Sequence, residues 1–244
     1  MIQLPLGIGL REDVTFDNFL FGSENREAIN LLRKGEQPFV YLWGPRGCGK
    51  SHLLQASIHQ AAYQGGTSAY LPLREADRLS PEYLRGLEQL PLVCIDDIDT
   101  IAGQGEWEEA LFHLYNRIRA AETRLVVTAG NSPAGNPILL PDLRSRLGWG
   151  ITLRLTPLDD RGKLTILQRR ARARGMELPT DVARYLLRRV SRDMETLSVW
   201  LEKLDKHSLV SQRKLTIPFV RELLPSGEAP SNTNPHSQRR TREQ

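Results

Sequence analysis

The sequence predicts an α/β domain with a five-stranded parallel sheet, followed by a small all-α domain. Three observations carry this expectation. Five short apolar runs alternate with helical patterns as far as residue 155, and a Gly-rich loop joins the first run to a long helical pattern. Beyond Pro157 only helical patterns remain.

In chain order, residues 1–10 (MIQLPLGIGL) mix apolar residues with Pro and Gly, carry no helix start signal, and read as an extended arm. Residues 16–35 turn helical, with Ser23 as the expected N-cap ahead of Ala28, Ile29, Leu31 and Leu32, and Gly35 as the stop. The strand runs are 39–43, 68–73, 92–96, 125–129 and 151–155, apolar throughout, as strands covered by helices on both faces must be. Between them lie helical patterns over 52–64 and 107–121. The second domain is expected to hold helices over 159–174, 181–190, 193–208 and 217–224. Residues 225–244 have almost no apolar side chain and are expected to be disordered. The plan is therefore an arm (1–10), an α/β domain (11–155), a helical domain (156–224) and a polar tail (225–244).

With 244 residues, 40% apolar and 25% charged, the chain is long enough to bury a full core. A net charge of +4 is too mild an excess to point to a nucleic-acid partner. The two cysteines, Cys48 and Cys94, sit inside the motifs described next, not at disulfide or zinc spacings, and this fits a reduced, cytoplasmic setting. Residues 1–6 lack the features of a signal peptide, and no run approaches the ~20 apolar residues of a membrane span. Neither secretion nor membrane insertion is expected.

Gly44-Pro45-Arg46-Gly47-Cys48-Gly49-Lys50-Ser51 is a complete G-x-x-x-x-G-K-[ST] loop between a strand and a helix. Glycines let backbone N–H groups converge on phosphate oxygens, Lys50 reaches the β and γ phosphates, and the Ser51 hydroxyl ligates Mg²⁺. The alternative, a Gly-rich turn that binds nothing, is disfavoured by the strand and helix on the correct sides. Cys48 reads as a small filler whose pKa a helix N-terminus would lower, and His52 follows at the head of the helical pattern.

Leu92-Val93-Cys94-Ile95-Asp96-Asp97 is an apolar strand ending in two carboxylates, about 45 residues after the loop. Asp96 would hold the Mg²⁺ hydration shell and Asp97 would orient or deprotonate the attacking water. A strand ending in Asp-Asp-Ile-Asp could by itself be a polar turn; the intact loop upstream argues for the metal site. Asn131, just past the fourth strand run, is a candidate sensor that could touch a γ-phosphate or position water, with an ordinary turn asparagine as the alternative. Arg144 and Arg146 precede the fifth run, and pattern alone leaves them as solvated surface arginines.

Over residues 14–224 the order of these motifs resembles the DnaA-related AAA+ P-loop NTPases and, within that family, the shorter Hda-type inactivators of DnaA. The resemblance implies an AAA+ domain with a helical lid, and ADP or ATP with Mg²⁺ as cofactors. Val14-Thr15-Phe16-Asp17-Asn18-Phe19, with Gly22, Asn25 and Ala28, is similar to the family's adenine-pocket segment, which implies Phe16, Phe19 and Asn25 beside the base. Ser145-Arg146-Leu147-Gly148-Trp149-Gly150 resembles the arginine-finger box and implies that Arg146 enters a neighbour's nucleotide site. Arg192-Asp193-Met194-Glu195-Thr196-Leu197 resembles the sensor 2 segment and implies that Arg192 faces the phosphates in cis. At the position of Asn131 family members often carry Asp, so its part in hydrolysis stays open.

Two features favour a regulator over a full initiator. No helix-turn-helix pattern follows the lid. Gln3-Leu4-Pro5-Leu6-Gly7-Ile8 resembles the Q-L-x-L-x-[FL] peptide that docks on the DNA polymerase III β sliding clamp, which implies that Gln3, Leu4, Leu6 and Ile8 make that contact. The implied protein is held on the DNA-loaded clamp and presents Arg146 to ATP-bound DnaA, whose hydrolysis it promotes, preventing re-initiation of chromosome replication. DNA would be met only through the clamp. A weak ATPase activity of its own and a homodimer stay open. The rival readings are an ATP-driven helicase loader using the same Lys50, Asp96 and Asp97, and a DNA-binding adaptor using the tail's Arg239, Arg240 and Arg242.

Overall fold

A computed structural model describes residue 10 and residues 14–19, 21–191, 194–211 and 213–224. The arm residues Gln3, Leu4, Leu6 and Ile8, the sensor 2 candidate Arg192 and the tail 225–244 lie outside the described residues. The chain divides into two compact units, Met1–Leu158 and Asp159–Gln244.

The first unit is built on β1 (Phe39–Trp43), β2 (Ser68–Pro72), β3 (Leu92–Asp96), β4 (Arg124–Ala129) and β5 (Ile151–Arg154). All neighbours are parallel, in the order β2-β3-β4-β1-β5. Around them run α1 (Arg26–Lys34), α2 (Lys50–Tyr63), α3 (Gly105–Ala120) and α4 (Pro141–Leu147). Successive strand residues serve opposite cores. Tyr41, Val93, Ile95, Leu125 and Val127 pack with Trp107, Leu111 and Leu114 of α3, whereas Val40, Leu42, Leu92, Cys94 and Val126 pack with Ile29 and Leu32 of α1 and Leu53 and Leu54 of α2. Both faces are covered over β1, β3 and β4, which are buried at nearly every position, whereas the edge strands β2 and β5 depart from the expected apolar runs and alternate between more and less buried residues. In such a sheet the carboxyl ends beside the strand where the order reverses form the natural ligand crevice. Here that strand is β1, and the Gly-rich loop follows it directly.

The helix expected over 16–35 is shorter than its pattern. Thr15 and Asn18 close a local turn, the Thr15 N–H donating to Asn18 Oδ1 at 3.0 Å and the Asn18 N–H to Thr15 Oγ1 at 3.3 Å. Phe16 and Phe19 are drawn into the α1–α2 core. A 3₁₀ turn, Ser23–Asn25, then leads into α1, and Gly22 caps that turn; Ser23 is not the cap. Gly35 closes α1 at φ +73°, as the sequence predicts. β2 ends at Pro72, because Leu73 begins a 3₁₀ helix, Leu73–Arg78. The short helix α4 has no counterpart in the sequence reading.

In the second unit, α5 (Asp160–Ala173), α6 (Thr180–Arg189), α7 (Met194–Ser211) and α8 (Ile217–Leu223) enclose a core that includes Leu167, Ala171, Leu186, Leu201, Leu204 and Val220. Asp159 caps α5 by accepting the Gly162 N–H at 2.7 Å, and Thr216 caps α8. Among the described residues no helix is long and apolar enough to cross a membrane.

Candidate functional site

The loop from Gly44 to Ser51 turns β1 into α2. A Cβ on Gly44 would lie 2.4 Å from the Leu155 carbonyl oxygen, and one on Gly49, at φ +99°, would lie 2.5 Å from the Phe19 ring. Both positions therefore require glycine. Lys50 is 6% exposed, and its Nζ donates to the Gly44 carbonyl at 2.8 Å and the Pro45 carbonyl at 3.3 Å. A buried ammonium aimed into a glycine cradle at a helix N-terminus is the environment that holds phosphate. Cys48, buried in the same loop, departs from expectation: burial raises its pKa and outweighs the lowering by Lys50. Filler is the role that fits it.

The two carboxylates at the end of β3 are almost fully buried. Asp96 accepts from the Tyr70 hydroxyl at Oδ2, 2.8 Å away, and from the Thr128 hydroxyl at Oδ1. Thr128 Oγ1 in turn accepts the Asp97 N–H at 2.8 Å, and Gln55 of α2 donates to the Tyr70 hydroxyl at 3.4 Å. Strands β2 and β4 thus reach Asp96 at the end of β3 directly, and helix α2 reaches it only through Tyr70. Asp97 is left-handed, φ 54° and ψ 53°, and its carboxylate is ion-paired with Nε of the half-exposed Arg74. Burial, then the charge of Asp96, push the Asp97 pKa above the usual carboxylate range, while Arg74 and Lys50 oppose the shift. Burial and Asp96 likewise push the Tyr70 phenol far up, so it remains a donor.

Among the described residues no group of three or more His, Cys, Asp or Glu could hold a metal by itself. Mg²⁺ at a phosphate loop needs no such cluster, since one hydroxyl, one carboxylate, waters and the phosphates supply its oxygens. Ser51 in the first turn of α2 and Asp96 at the end of β3 fit that mode.

The remaining expected site residues divide. Phe19 lies over the loop, its ring 4.8 Å from the His52 ring, and His52 Nε2 is 2.9 Å from the Thr15 carbonyl oxygen. Phe16 is buried beneath the Arg33 guanidinium. Asn25 has both ends of its amide engaged by one residue: Nδ2 donates to the Thr156 carbonyl at 2.8 Å and Oδ1 accepts the Thr156 N–H at 2.9 Å. It fastens the chain leaving β5. Pro45 and Arg46 are exposed at the crest of the loop. Asn131 is exposed, and its carbonyl accepts the Tyr41 hydroxyl at 2.9 Å. The β4 side chain that reaches Asp96 is Thr128. Arg146, on α4, is half-buried: it donates to Asn116 Oδ1, and its guanidinium carbon lies 4.7 Å from the Phe112 ring centroid and 5.3 Å from that of Trp149. Arg144 on the same helix is exposed. The segment entering α4 is pinned by the buried Glu108, which accepts from the N–H groups of Gly103 at 2.7 Å and Leu140 at 2.7 Å, and from that of Leu139.

Residues 74–154 match the bacterial DnaA ATPase domain family, and residues 160–224 match the lid domain of Hda. The chain is a DnaA-related protein of the Hda type. The Hda lid match opens on the first residue of α5, so the family boundary coincides with the boundary in the fold. Solved structures similar to this Hda-type chain include domain III of DnaA from Thermotoga maritima, at 21% identity over 88% of this chain and 97% of that one, TM-score 0.75. AMPPCP-bound DnaA from Aquifex aeolicus aligns at 21% identity over 83% and 68%, TM-score 0.69. The Thermotoga maritima RuvB Holliday junction branch migration motor aligns at 18% over 86% and 70%, TM-score 0.62. At these identities the likeness establishes the fold: an α/β AAA+ domain followed by a helical lid.

Proposed function

We propose that this protein is a regulator that binds ADP or ATP with Mg²⁺ at the 44–51 loop, docks on the DNA-loaded sliding clamp, and stimulates ATP hydrolysis by DnaA through Arg146 in trans. The observation that carries the reading is the Hda lid match joined to a DnaA-type ATPase domain. Nucleotide binding is supported by the glycine cradle, by the buried Lys50 and by the AMPPCP bound in the similar Aquifex aeolicus DnaA. Mg²⁺ there would neutralise phosphate charge, with the Ser51 hydroxyl and Asp96 on its coordination shell. A nucleotide retained in this site acts as a latch on conformation, since a ligand shifts an equilibrium by its differential affinity for two states. Gln3, Leu4, Leu6 and Ile8 supply the clamp peptide in this reading.

The test is the rate of ATP hydrolysis by DnaA with loaded clamp and this protein present. Arg146→Ala is expected to abolish a stimulation on the order of 10³-fold or more while nucleotide and clamp binding stay near wild type. Arg144→Ala should lose far less. If both variants keep full stimulation, or Arg144 alone proves necessary, the trans assignment fails. Replacing Gln3, Leu4 and Leu6 together by Ala should remove clamp binding with nucleotide affinity intact, and co-elution of that variant with the clamp would overturn the docking assignment.

A further inference from the structure

We propose that the helical lid binds duplex DNA directly, through arginines on α5 and α6 that hold the phosphate backbone without reading its sequence. This contact adds to the indirect one that the clamp reading supplies, and it depends on neither the nucleotide site nor Arg146.

The net charge of +4 averages over an uneven distribution. Residues 1–158 hold 15 Lys and Arg against 18 Asp and Glu, whereas residues 159–224 hold 15 against 9. Folding engages only some of that excess. Arg170 donates to the Ser198 hydroxyl, Arg174 lies 3.5 Å from Glu202, and Arg213 lies 3.0 Å from Glu222. Arg189 covers the Tyr185 ring, 5.5 Å from its centroid. On α5, Arg161, Arg169 and Arg172 are exposed and form no ion pair among the described residues. With the exposed Thr165 they stand at i, i+4, i+8 and i+11, one face of the helix, turned away from Leu167 and Ala171 in the core. The stripe runs roughly 16 Å, a span over which duplex DNA carries on the order of ten charges. On α6, Arg184 and Arg188 are exposed one turn apart, again without an ion pair among the described residues. The exposed carboxylate on that face, Asp181, lies in the first turn, where it complements the amino end of the helix.

Helix stability accounts for only part of this pattern. Arg172 and Arg188 lie in the last turns of their helices, where a cation is favourable. Arg161 lies in the first turn of α5, beside the positive end of the helix dipole, and Arg184 lies mid-helix, so neither gains from that effect. The chemistry of the face then selects the partner. Protein partners are held through buried aromatic and apolar anchors, and among the described residues the only large hydrophobic side chain exposed in this unit is Val199 of α7. Single-stranded nucleic acid is held by stacking bases on aromatic rings, and Tyr185, the one aromatic residue of α5 and α6, is already covered by Arg189. Planar guanidinium groups match phosphate oxygens bidentately. A row of them without stacking or apolar anchors suits the regular backbone of duplex DNA.

Fluorescence anisotropy of a labelled mixed-sequence duplex, titrated with the full chain in the absence of clamp and DnaA, tests the contact. Five phosphate contacts predict a slope of log K against log[salt] of about −4.5, a loss of affinity of roughly 500-fold between about 50 and 200 mM salt. Arg161→Gln, Arg169→Gln and Arg172→Gln together are expected to weaken binding at least about tenfold at the lower salt and to bring the slope to about −1.8. Arg184→Gln with Arg188→Gln should bring it to about −2.7. Arg161→Lys, Arg169→Lys and Arg172→Lys together should keep the wild-type slope, as should Arg239→Gln, Arg240→Gln and Arg242→Gln in the tail. Melting temperatures near wild type in all four variants separate a lost contact from a lost fold. Absence of duplex binding by the wild type at the lower salt, a slope unchanged in either lid Gln variant, or a loss confined to the tail variant overturns the proposal. Single-stranded DNA of the same length bound about tenfold more tightly than the duplex overturns it as well, since stacking would then dominate. Lid variants that keep duplex binding but lose clamp binding or stimulation of DnaA would make the face a protein surface and overturn it equally. A chain with Gln3, Leu4 and Leu6 replaced by Ala should still bind duplex, so failure here and failure of the clamp reading are distinguishable.

Discussion

Thr128→Val isolates the hydroxyl that ties the two β3 carboxylates together. Thr128 is fully buried; its hydroxyl donates to Asp96 and accepts the Asp97 N–H. Valine has nearly the same shape, so no cavity opens, and the change is confined to two hydrogen bonds. A bond to a charged acceptor contributes about 1.5–3 kcal/mol, and a buried N–H left without a partner costs about 1–3 kcal/mol. One hydroxyl makes both contacts, so the effects overlap, and a loss of about 3–5 kcal/mol is expected. For a unit of this size, that is a fall in melting temperature of roughly 6–20 °C. Thermal unfolding of wild type, Thr128→Val and Thr128→Ser measures it, with the serine variant retaining most of the stability because it keeps the hydroxyl. A valine variant melting within about 2 °C of wild type would refute the reasoning, since the network would then contribute almost nothing.

Lys50→Ala should weaken ADP binding by at least about 2–3 kcal/mol, or roughly 30- to 150-fold, and unchanged calorimetric affinity would show that the phosphates do not sit in the loop. Burial pushes the Cys94 thiol up to about 12, against about 8.5 for a free cysteine, so the unfolded chain gives up this proton first. The stability from Cys94 is then complete below pH ~8.5 and declines by up to about 1.4 kcal/mol per pH unit as pH rises toward 12. Urea unfolding at pH 8 and pH 10 should show a larger loss in wild type than in Cys94→Ala; equal losses would refute it.

What the sequence made legible was local. β1 and β3 match their expected ranges because each apolar run is bounded by residues that cannot continue it, Gly44 after one and the left-handed Asp97 after the other. The loop and its carboxylate pair could be read because each is a contiguous motif whose chemistry demands particular residue types. Tyr70, Arg74 and Thr128 could not be singled out, since their roles arise only when β2, β3 and β4 lie side by side, and strand order leaves no mark in local periodicity. Helix α4 is seven residues long, too short for a period-3.6 pattern to register, although Pro141 at its first position is a start signal. The Ser23 cap was misplaced for a different reason. Burial of Phe16 and Phe19 pulled the preceding segment out of the helix, a tertiary demand that outweighs a one-residue capping preference.

The surroundings of Arg146 bear on how a trans reaction could proceed. Complete release would break the bond to Asn116, worth about 1.5–3 kcal/mol, and two aromatic contacts worth about 0.5–1 kcal/mol each. The total, about 2.5–5 kcal/mol, compares with the ~4–7 kcal/mol that corresponds to a 10³–10⁵-fold rate gain. Full release would therefore cancel most of the benefit. Productive docking has to keep the guanidinium stacked between Phe112 and Trp149 and exchange only the Asn116 oxygen for a phosphate oxygen, a trade of one charge-assisted bond for another. Arg144, exposed on the same helix, would have to give up on the order of 2 kcal/mol of rotamer freedom at the moment of docking, a loss that Arg146 has already met on folding. The packing that half-buries Arg146 is thus compatible with action in trans only as preorganisation, which sets Arg146 apart from its neighbour two residues away.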